Sequence, residues 1–202
     1  MNTYVALDVE TTGFSPDTCD IIELSGWKIN DGVVIDKFDS LVRPVIYIPR
    51  TVQEITGITM DDVQGCEPIE VVLVDFFEFC GDYDFLGHNL PFDYSFLCTK
   101  GKRLGLDFSL RGSRLGIDTL KLSRKYLNIK SNKLEDVVKH FQIDKLSGGD
   151  YHRAYYDSYM TKLVYDRFVA NYNTSDVLIP EVLNKDNKLY GKVENTDALP
   201  LD

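Results

Sequence analysis

Long apolar runs are missing from this sequence. No stretch of about 18 consecutive hydrophobic residues occurs among its 202, which excludes a membrane-spanning helix as the reading of any segment. The start, Met1-Asn2, leads straight into strand-like sequence, so no signal peptide is expected. Cysteine is sparse: Cys19, Cys66, Cys80 and Cys98 form no CxxC pair and no zinc-finger spacing. They read as reduced, mostly buried thiols of a cytoplasmic protein. Positive charge is also short, with 22 Lys and Arg against 32 Asp and Glu and a net charge of −10. That balance argues against a uniformly basic nucleic-acid-binding surface. Internal repeats and low-complexity tracts are absent, which excludes solenoid architectures.

The chain does have enough length and apolar content, 202 residues and 44% hydrophobic, for one domain with a sizeable core. The charge is uneven. Residues 100–145 carry 12 Lys and Arg against 5 Asp and Glu, so a basic segment sits within an acidic protein. Such a distribution suits a protein that gathers carboxylates in one place and touches phosphates in another. For any single member, such as Lys121, Arg124, Lys125 or Lys139, a solvated helix face is the simpler reading.

The stretch TYVALDVETTG, residues 3 to 13, is apolar and strand-like, yet carries Asp8 and Glu10. Strand side chains alternate, so Val5, Leu7 and Val9 face one side while Ala6, Asp8 and Glu10 face the other. Two acids side by side repel each other. Either they lie beside solvent on an edge strand, or a cation neutralises both, most simply a hard divalent metal with oxygen ligands. The strand alone leaves both readings open.

Further along, DIIELSGWKIN and VVIDKFDSLV are β-rich runs joined through Asn30-Asp31-Gly32, a hairpin junction. Helical patterning follows from TVQEITGI onward, including EPIEVVLVDFFEFCG with Pro68 at its first turn and Gly81 as its stop. YDFLGHN reads as a short buried strand, PFDYSFLCTKGKRLGL as a helix starting at Pro91, and RLGIDTLKLSRKYL as a strand running into a helix. SNKLEDVVKHF reads as a helix capped by Ser131 or Asn132, and RAYYDSYMTKLVYDRFVANY as the last strong helix. A hairpin followed by strands alternating with helices predicts an α/β fold, a mixed β-sheet flanked by α-helices. Residues 1–172 form the predicted domain, and the polar stretch 173–202 reads as a tail with weak structure of its own.

Ligands of α/β sheets gather where strands end and helices start. Asp93 falls in the first turn of the helix at Pro91, where an acid can serve as a ligand or simply as a helix-start anion. His88 and Asn89 end a strand; loop hydrogen bonding is the favoured reading of His88. In GGDYHRAYYDSYM, His152 and Asp157 would point roughly 140° apart within one helix. They reach a common site only if His152 precedes the helix, with Ser147-Gly148-Gly149 as a flexible approach. Asp150 competes as a helix-start acid. His140, on an amphipathic helix, gets the ordinary surface reading.

Taken together, LDVETTG, HNLPFD and HRAYYD stand in an order and spread that resemble the DEDDh branch of the DnaQ-like 3′–5′ exonucleases, the family of the proofreading epsilon subunit of bacterial DNA polymerase III. EITGIT, IDTLKLSRKYL and SNKLEDVVKHFQI look like family sequence as well. All five signature positions are filled, by Asp8, Glu10, Asp93, His152 and Asp157. The resemblance implies a ribonuclease H-like fold and a metal-dependent exonuclease releasing 5′-mononucleotides from a 3′ end, most simply of single-stranded DNA. An RNA-trimming enzyme of the same family, or a binding or assembly module with catalysis lost, would carry similar motifs.

By the same resemblance, Asp8 would bridge two Mg²⁺ or Mn²⁺ ions, Glu10 and Asp157 would complete one site, and Asp93 would hold the second. Oxygen ligands favour those ions over zinc. His152 would take a proton from the attacking water, a task suited to an imidazole. Thr11, Thr12 and Gly13 would approach the terminal nucleotide, with Asn89 nearby. Phe92 and Phe14 are candidates to touch bases, although Phe92 equally suits the core. The implied partners are a nucleic-acid 3′ end and a replication polymerase, the latter in trans because no polymerase domain fits in 202 residues.

Overall fold

A computed structural model of the chain describes residues 3–108, 116–145 and 151–172. The predicted tail, 173–202, lies outside the described residues, as do Ser147, Gly148, Gly149 and Asp150. No helix among the described residues is long and apolar enough to cross a membrane.

Three strands come first: β1 (Thr3–Thr11), β2 (Ile21–Asn30) and β3 (Val33–Leu41). The β2–β3 turn places Asp31 at φ 48° and Gly32 at φ 82°. Positive φ at both positions matches the right-handed twist of the flanking strands, which is why Asp-Gly closes this hairpin. Then come α1 (Arg50–Thr56), α2 (Met60–Val63) and α3 (Ile69–Cys80), followed by β4 (Asp84–Gly87) and α4 (Leu90–Arg103). The order finishes with β5 (Gly116–Asp118), α5 (Thr119–Tyr126), α6 (Leu134–His140) and α7 (Ala154–Tyr172). The five strands form one sheet in the order β3-β2-β1-β4-β5. The β1–β2 and β2–β3 pairs are antiparallel, and the β1–β4 and β4–β5 pairs are parallel. The predicted mixed sheet flanked by helices is therefore the observed fold.

β1 is the central strand, which disposes of the edge-strand reading of its acids. Its predicted alternation holds. Val5, Leu7 and Val9 pack on one face with Leu73 and Phe76 of α3 and Phe96 and Leu97 of α4. Tyr4 and Ala6 pack on the other with Val137 of α6 and Tyr156, Met160, Val164 and Phe168 of α7. Asp8 and Glu10 thus belong to the α7 face. Trp27 fixes α7 over β2, with its Nε1 donating to the Tyr155 carbonyl at 3.1 Å and its ring against those of Tyr155 and Tyr159.

Two expectations need correction. The residue preceding α6 is Lys133, with no side-chain cap; Ser131 Oγ instead accepts from the Lys133 amide at 3.4 Å, and Asn132 Oδ1 accepts from the Ser123 hydroxyl. Asn132 thus ties the start of α6 to α5, while Ser131 bonds within the turn and to Asp136 of α6 itself. All four cysteines are free as expected, but only Cys80 is buried, the other three being partly exposed.

Candidate active site

The site is built where β1 outruns its parallel neighbour. β4 pairs with Tyr4, Val5 and Ala6 of β1 and ends at Gly87. Beyond that point, the edge of β1 has backbone groups that no strand can satisfy. α4 starts there, and Asp93 in its first turn fills the role: Oδ1 accepts the Val9 amide at 3.0 Å. Asp93 is only 3% exposed. Asn89, just ahead of α4, adopts φ 69°, and its amide donates to Asp118 Oδ1 at 3.0 Å. The same Asp118 oxygen accepts the Leu120 amide at 3.0 Å, so Asp118 ties the start of α4 to the start of α5. Asp93 is therefore a tether between α4 and β1 and not merely a helix-start anion.

Across the face of β1, one carboxylate oxygen from each of Asp8, Glu10 and Asp157 lies within 4.8 Å of the others. Asp157 comes from the first turn of α7, as the helix reading required. Its Oδ2 accepts the His152 amide at 3.0 Å, while its Oδ1 is buried with no hydrogen-bond partner. A buried, unpartnered carboxylate oxygen on a residue grouped with two other acids is costly without a cation. Burial, followed by the neighbouring charges of Asp93, Asp157, Glu10 and Glu23, holds the Asp8 carboxyl well above its ordinary range. Glu10 is raised by burial first and then by Asp157 and Glu23, against a lowering pull from Arg153. Asp93 is raised mainly by burial, opposed by its bond from Val9. Asp157 is pushed up to about 7, again by burial first. The donor set is all oxygen, anionic and partly desolvated, which fits a hard divalent cation.

His152 precedes α7 by two residues, is exposed and sits at φ 66°, a left-handed conformation. Its backbone thus touches the acidic cluster through Asp157, which satisfies the condition that it lie just ahead of the helix. His88 behaves as the ordinary reading had it, bonded to Thr119 Oγ1 at 2.8 Å and to the Asn132 carbonyl at 2.9 Å. His140 stays on the surface of α6 beside Phe141.

The Thr11-Thr12-Gly13 turn is locked by its own polar groups. The Thr11 hydroxyl donates to the Gly13 carbonyl at 2.7 Å, the Thr12 amide donates to the Asp20 carbonyl at 2.8 Å, and the Thr12 hydroxyl accepts the Asp20 amide at 2.9 Å. At Gly13 a Cβ would come within 2.8 Å of Cys19 Sγ, so any larger residue there would make that thiol move. Asp20 in turn accepts from the Val45 and Ile46 amides and from the buried Lys100 ammonium at 3.1 Å. Phe92 packs against Phe96 at 5.1 Å and adjoins the core, yet remains only partly buried. Phe14 is 52% exposed.

Sequence reasoning missed Glu23 and Arg153. Glu23 lies directly opposite Glu10 in the β1–β2 register and is 1% exposed. Arg153 grips it with Nε at 3.1 and 3.2 Å and Nη2 at 2.8 Å, and Glu23 Oε2 accepts the Ala154 amide at 2.8 Å. The available signal was an acid interrupting the apolar run DIIEL at the strand position facing Glu10. Asp20 and Asp118 were also unassigned, because their partners lie on other elements.

An exonuclease family, RNase T, matches residues 5–165. The chain belongs to that exonuclease family. Among curated relatives of this exonuclease domain is the DNA polymerase III PolC-type of Halalkalibacterium halodurans, 37% identical over 182 residues. The match covers 90% of this chain but 12% of the polymerase, so the chain spans about an eighth of that relative's length. The solved structure of exonuclease X in complex with 5′-overhanging duplex DNA aligns with a TM-score of 0.68 at 22% identity, over 91% of this chain and 100% of that one. Escherichia coli exonuclease I in complex with a dT13 oligonucleotide aligns at 0.77 and 18%, over 86% of this chain and 42% of that one. At these identities, the two structures carry the fold. The family membership bears out the DnaQ-like 3′–5′ exonuclease resemblance of the sequence.

Proposed function

We propose that this domain is the DEDDh form of the family: a metal-dependent 3′–5′ exonuclease that works in the cytoplasm and releases 5′-mononucleotides from single-stranded DNA. The observation that carries the metal-dependent reading is the trio of carboxylates within 4.8 Å, one of whose oxygens, Asp157 Oδ1, is buried and unpartnered. A binding module without catalysis would have no need to keep that oxygen desolvated and unpaired.

Asp8, Glu10 and Asp157 would hold one Mg²⁺ or Mn²⁺, and Asp8 with Asp93 a second. Bound there, the pair would supply Lewis acidity toward water and toward the scissile phosphate. His152 acts as the proton acceptor, its exposed position ahead of α7 leaving the ring free to meet substrate. The Thr11-Thr12-Gly13 turn, braced by Asp20, receives the terminal nucleotide and its 3′-hydroxyl. Asn89 stands at the start of α4 beside Asp93, while Phe92 and Phe14 offer base-stacking surface that tolerates any sequence. The relative named as a polymerase contains the matching segment within its own chain, which supports a replicative polymerase as the working partner.

The test is digestion of matched, labelled DNA and RNA single strands, linear or circular, carrying a 3′-hydroxyl or a 3′-phosphate, with Mg²⁺, Mn²⁺ or EDTA. Linear DNA with a free 3′ end should be degraded to mononucleotides only when metal is present. Equal attack on circles would show endonuclease action and defeat the proposal, as would undiminished activity in EDTA. Preference for the RNA strand would reassign the substrate to RNA trimming through contacts to the 2′-hydroxyl.

A further inference from the structure

We infer that Arg153 is a positioning residue for the metal-binding carboxylate Asp157, acting through its two-pronged pair with the buried Glu23. This inference rests on the reading of the Asp8, Glu10 and Asp157 cluster as a metal site.

The geometry is a short frame with both ends fixed. Glu23 is held in the sheet at the position facing Glu10. Both its oxygens are taken by Arg153, and Oε2 also takes the Ala154 amide, so the strand holds two consecutive residues at the entry of α7. The Arg153 carbonyl then accepts the Asp157 amide at 2.9 Å, and the His152 amide donates to Asp157 Oδ2 at 3.0 Å. Residues 152 and 153 thus define where the Asp157 carboxylate stands, and the side chain of Arg153 defines where those residues stand. Trp27 anchors the body of α7 separately, through the Tyr155 carbonyl.

Arginine is the residue for this task because its planar fork matches both carboxylate oxygens at once. The Arg153 side chain is 45% exposed and that of Glu23 1% exposed, so substitution at 153 disturbs the surface end of the pair. A second role would be purely electrostatic, since Arg153 is a cation beside several acids. The two roles predict opposite signs for metal affinity. Removing a nearby positive charge should tighten binding of a divalent cation, whereas misplacing Asp157 should weaken it.

The experiment compares wild type with Arg153→Gln and Arg153→Lys. Mn²⁺ binding is measured by calorimetry, hydrogen exchange at the Ala154 and Asp157 amides in metal-free protein, and kcat and KM on single-stranded DNA. Arg153→Gln is expected to weaken Mn²⁺ by about 10–100-fold, as loss of a ligand's support does. It should also speed exchange at both amides and lower kcat by about 10²-fold with KM little changed. Arg153→Lys restores the charge but only one prong, and should fall between. Tighter or unchanged Mn²⁺ binding in Arg153→Gln overturns the inference, as does a lowered melting temperature with wild-type kcat and metal affinity. If Arg153→Gln does not fold, wild-type behaviour of Arg153→Lys overturns it and an intermediate defect supports it. If wild type fails to digest any nucleic acid, the proposed function falls, while the Mn²⁺ and exchange measurements still decide the role of Arg153.

Discussion

The Val9 amide and Asp93 Oδ1 are 3.0 Å apart, and this one bond joins the central strand to the helix that begins where its neighbour strand stops. Asp93 therefore has a structural duty that an asparagine oxygen could take over, beside the proposed metal-holding duty that it could not. Asp93→Asn should keep the melting temperature of the metal-free protein while losing most nuclease activity. Asp93→Ala should lose both, since an orphaned buried amide costs about 1–3 kcal/mol. Thermal melts alongside the digestion assay separate the two duties; equal destabilisation by both substitutions would refute the assignment.

Asp8 makes no corresponding tether in the bonds described above, and it is crowded by Asp93, Asp157, Glu10 and Glu23. Asp8→Ala should abolish digestion and leave the metal-free protein as stable as wild type or more so, because one of several repelling acids is gone. Near wild-type turnover by this variant would remove Asp8 from the chemistry.

The acidic cluster should also make stability depend on pH in an unusual direction. Asp157 titrates near 7 in the fold, against the ordinary value of 3.8, and Asp8, Glu10 and Asp93 are raised as well. The folded protein then binds more protons than the unfolded chain between those limits, so stability falls as pH rises. The contribution is fully present below about pH 4 and is lost as pH climbs through about 7. In EDTA, the cluster alone should lower the melting temperature by roughly 5 °C or more between pH 5 and pH 8. Adding Mn²⁺ at pH 8 should restore it by binding the folded state. A flat profile in EDTA would mean that the cluster is already neutralised by other groups.

His152 combines a proposed proton-accepting ring with a backbone at φ 66°. Left-handed geometry costs a non-glycine residue roughly 1–2 kcal/mol. His152→Gly should therefore remove the ring while stabilising the fold, and His152→Ala should not stabilise it. Both should lower kcat by about 10²–10⁴-fold and leave Mn²⁺ binding largely intact, since the amide to Asp157 survives in each. Loss of metal binding in both variants would make the ring a ligand instead of a base.

Much of this site was legible because strand alternation and helix starts are local properties. Asp8 and Glu10 could be set on one face from the period of two, and His152 could be placed ahead of a helix from an angle. Other features depended on pairing between distant elements. Glu23 becomes meaningful only when the antiparallel register sets it against Glu10, and Arg153 only when α7 lands on β2. Asp118 caps α5 by accepting the Leu120 amide, and its second bond, from Asn89, needs β4 and β5 to be neighbours. The α6 cap was misassigned because Ser131 and Asn132 found partners in α5 and in the turn itself.

α7, the last described element, supplies Asp157 and also a large share of the apolar cover over Tyr4, Ala6 and Trp27. During synthesis, a chain that has not yet presented this helix has an open sheet face and only part of its acidic cluster. Closing that face and completing the cluster are the same event, so a nascent or truncated chain has all three carboxylates together only once its main fold is finished.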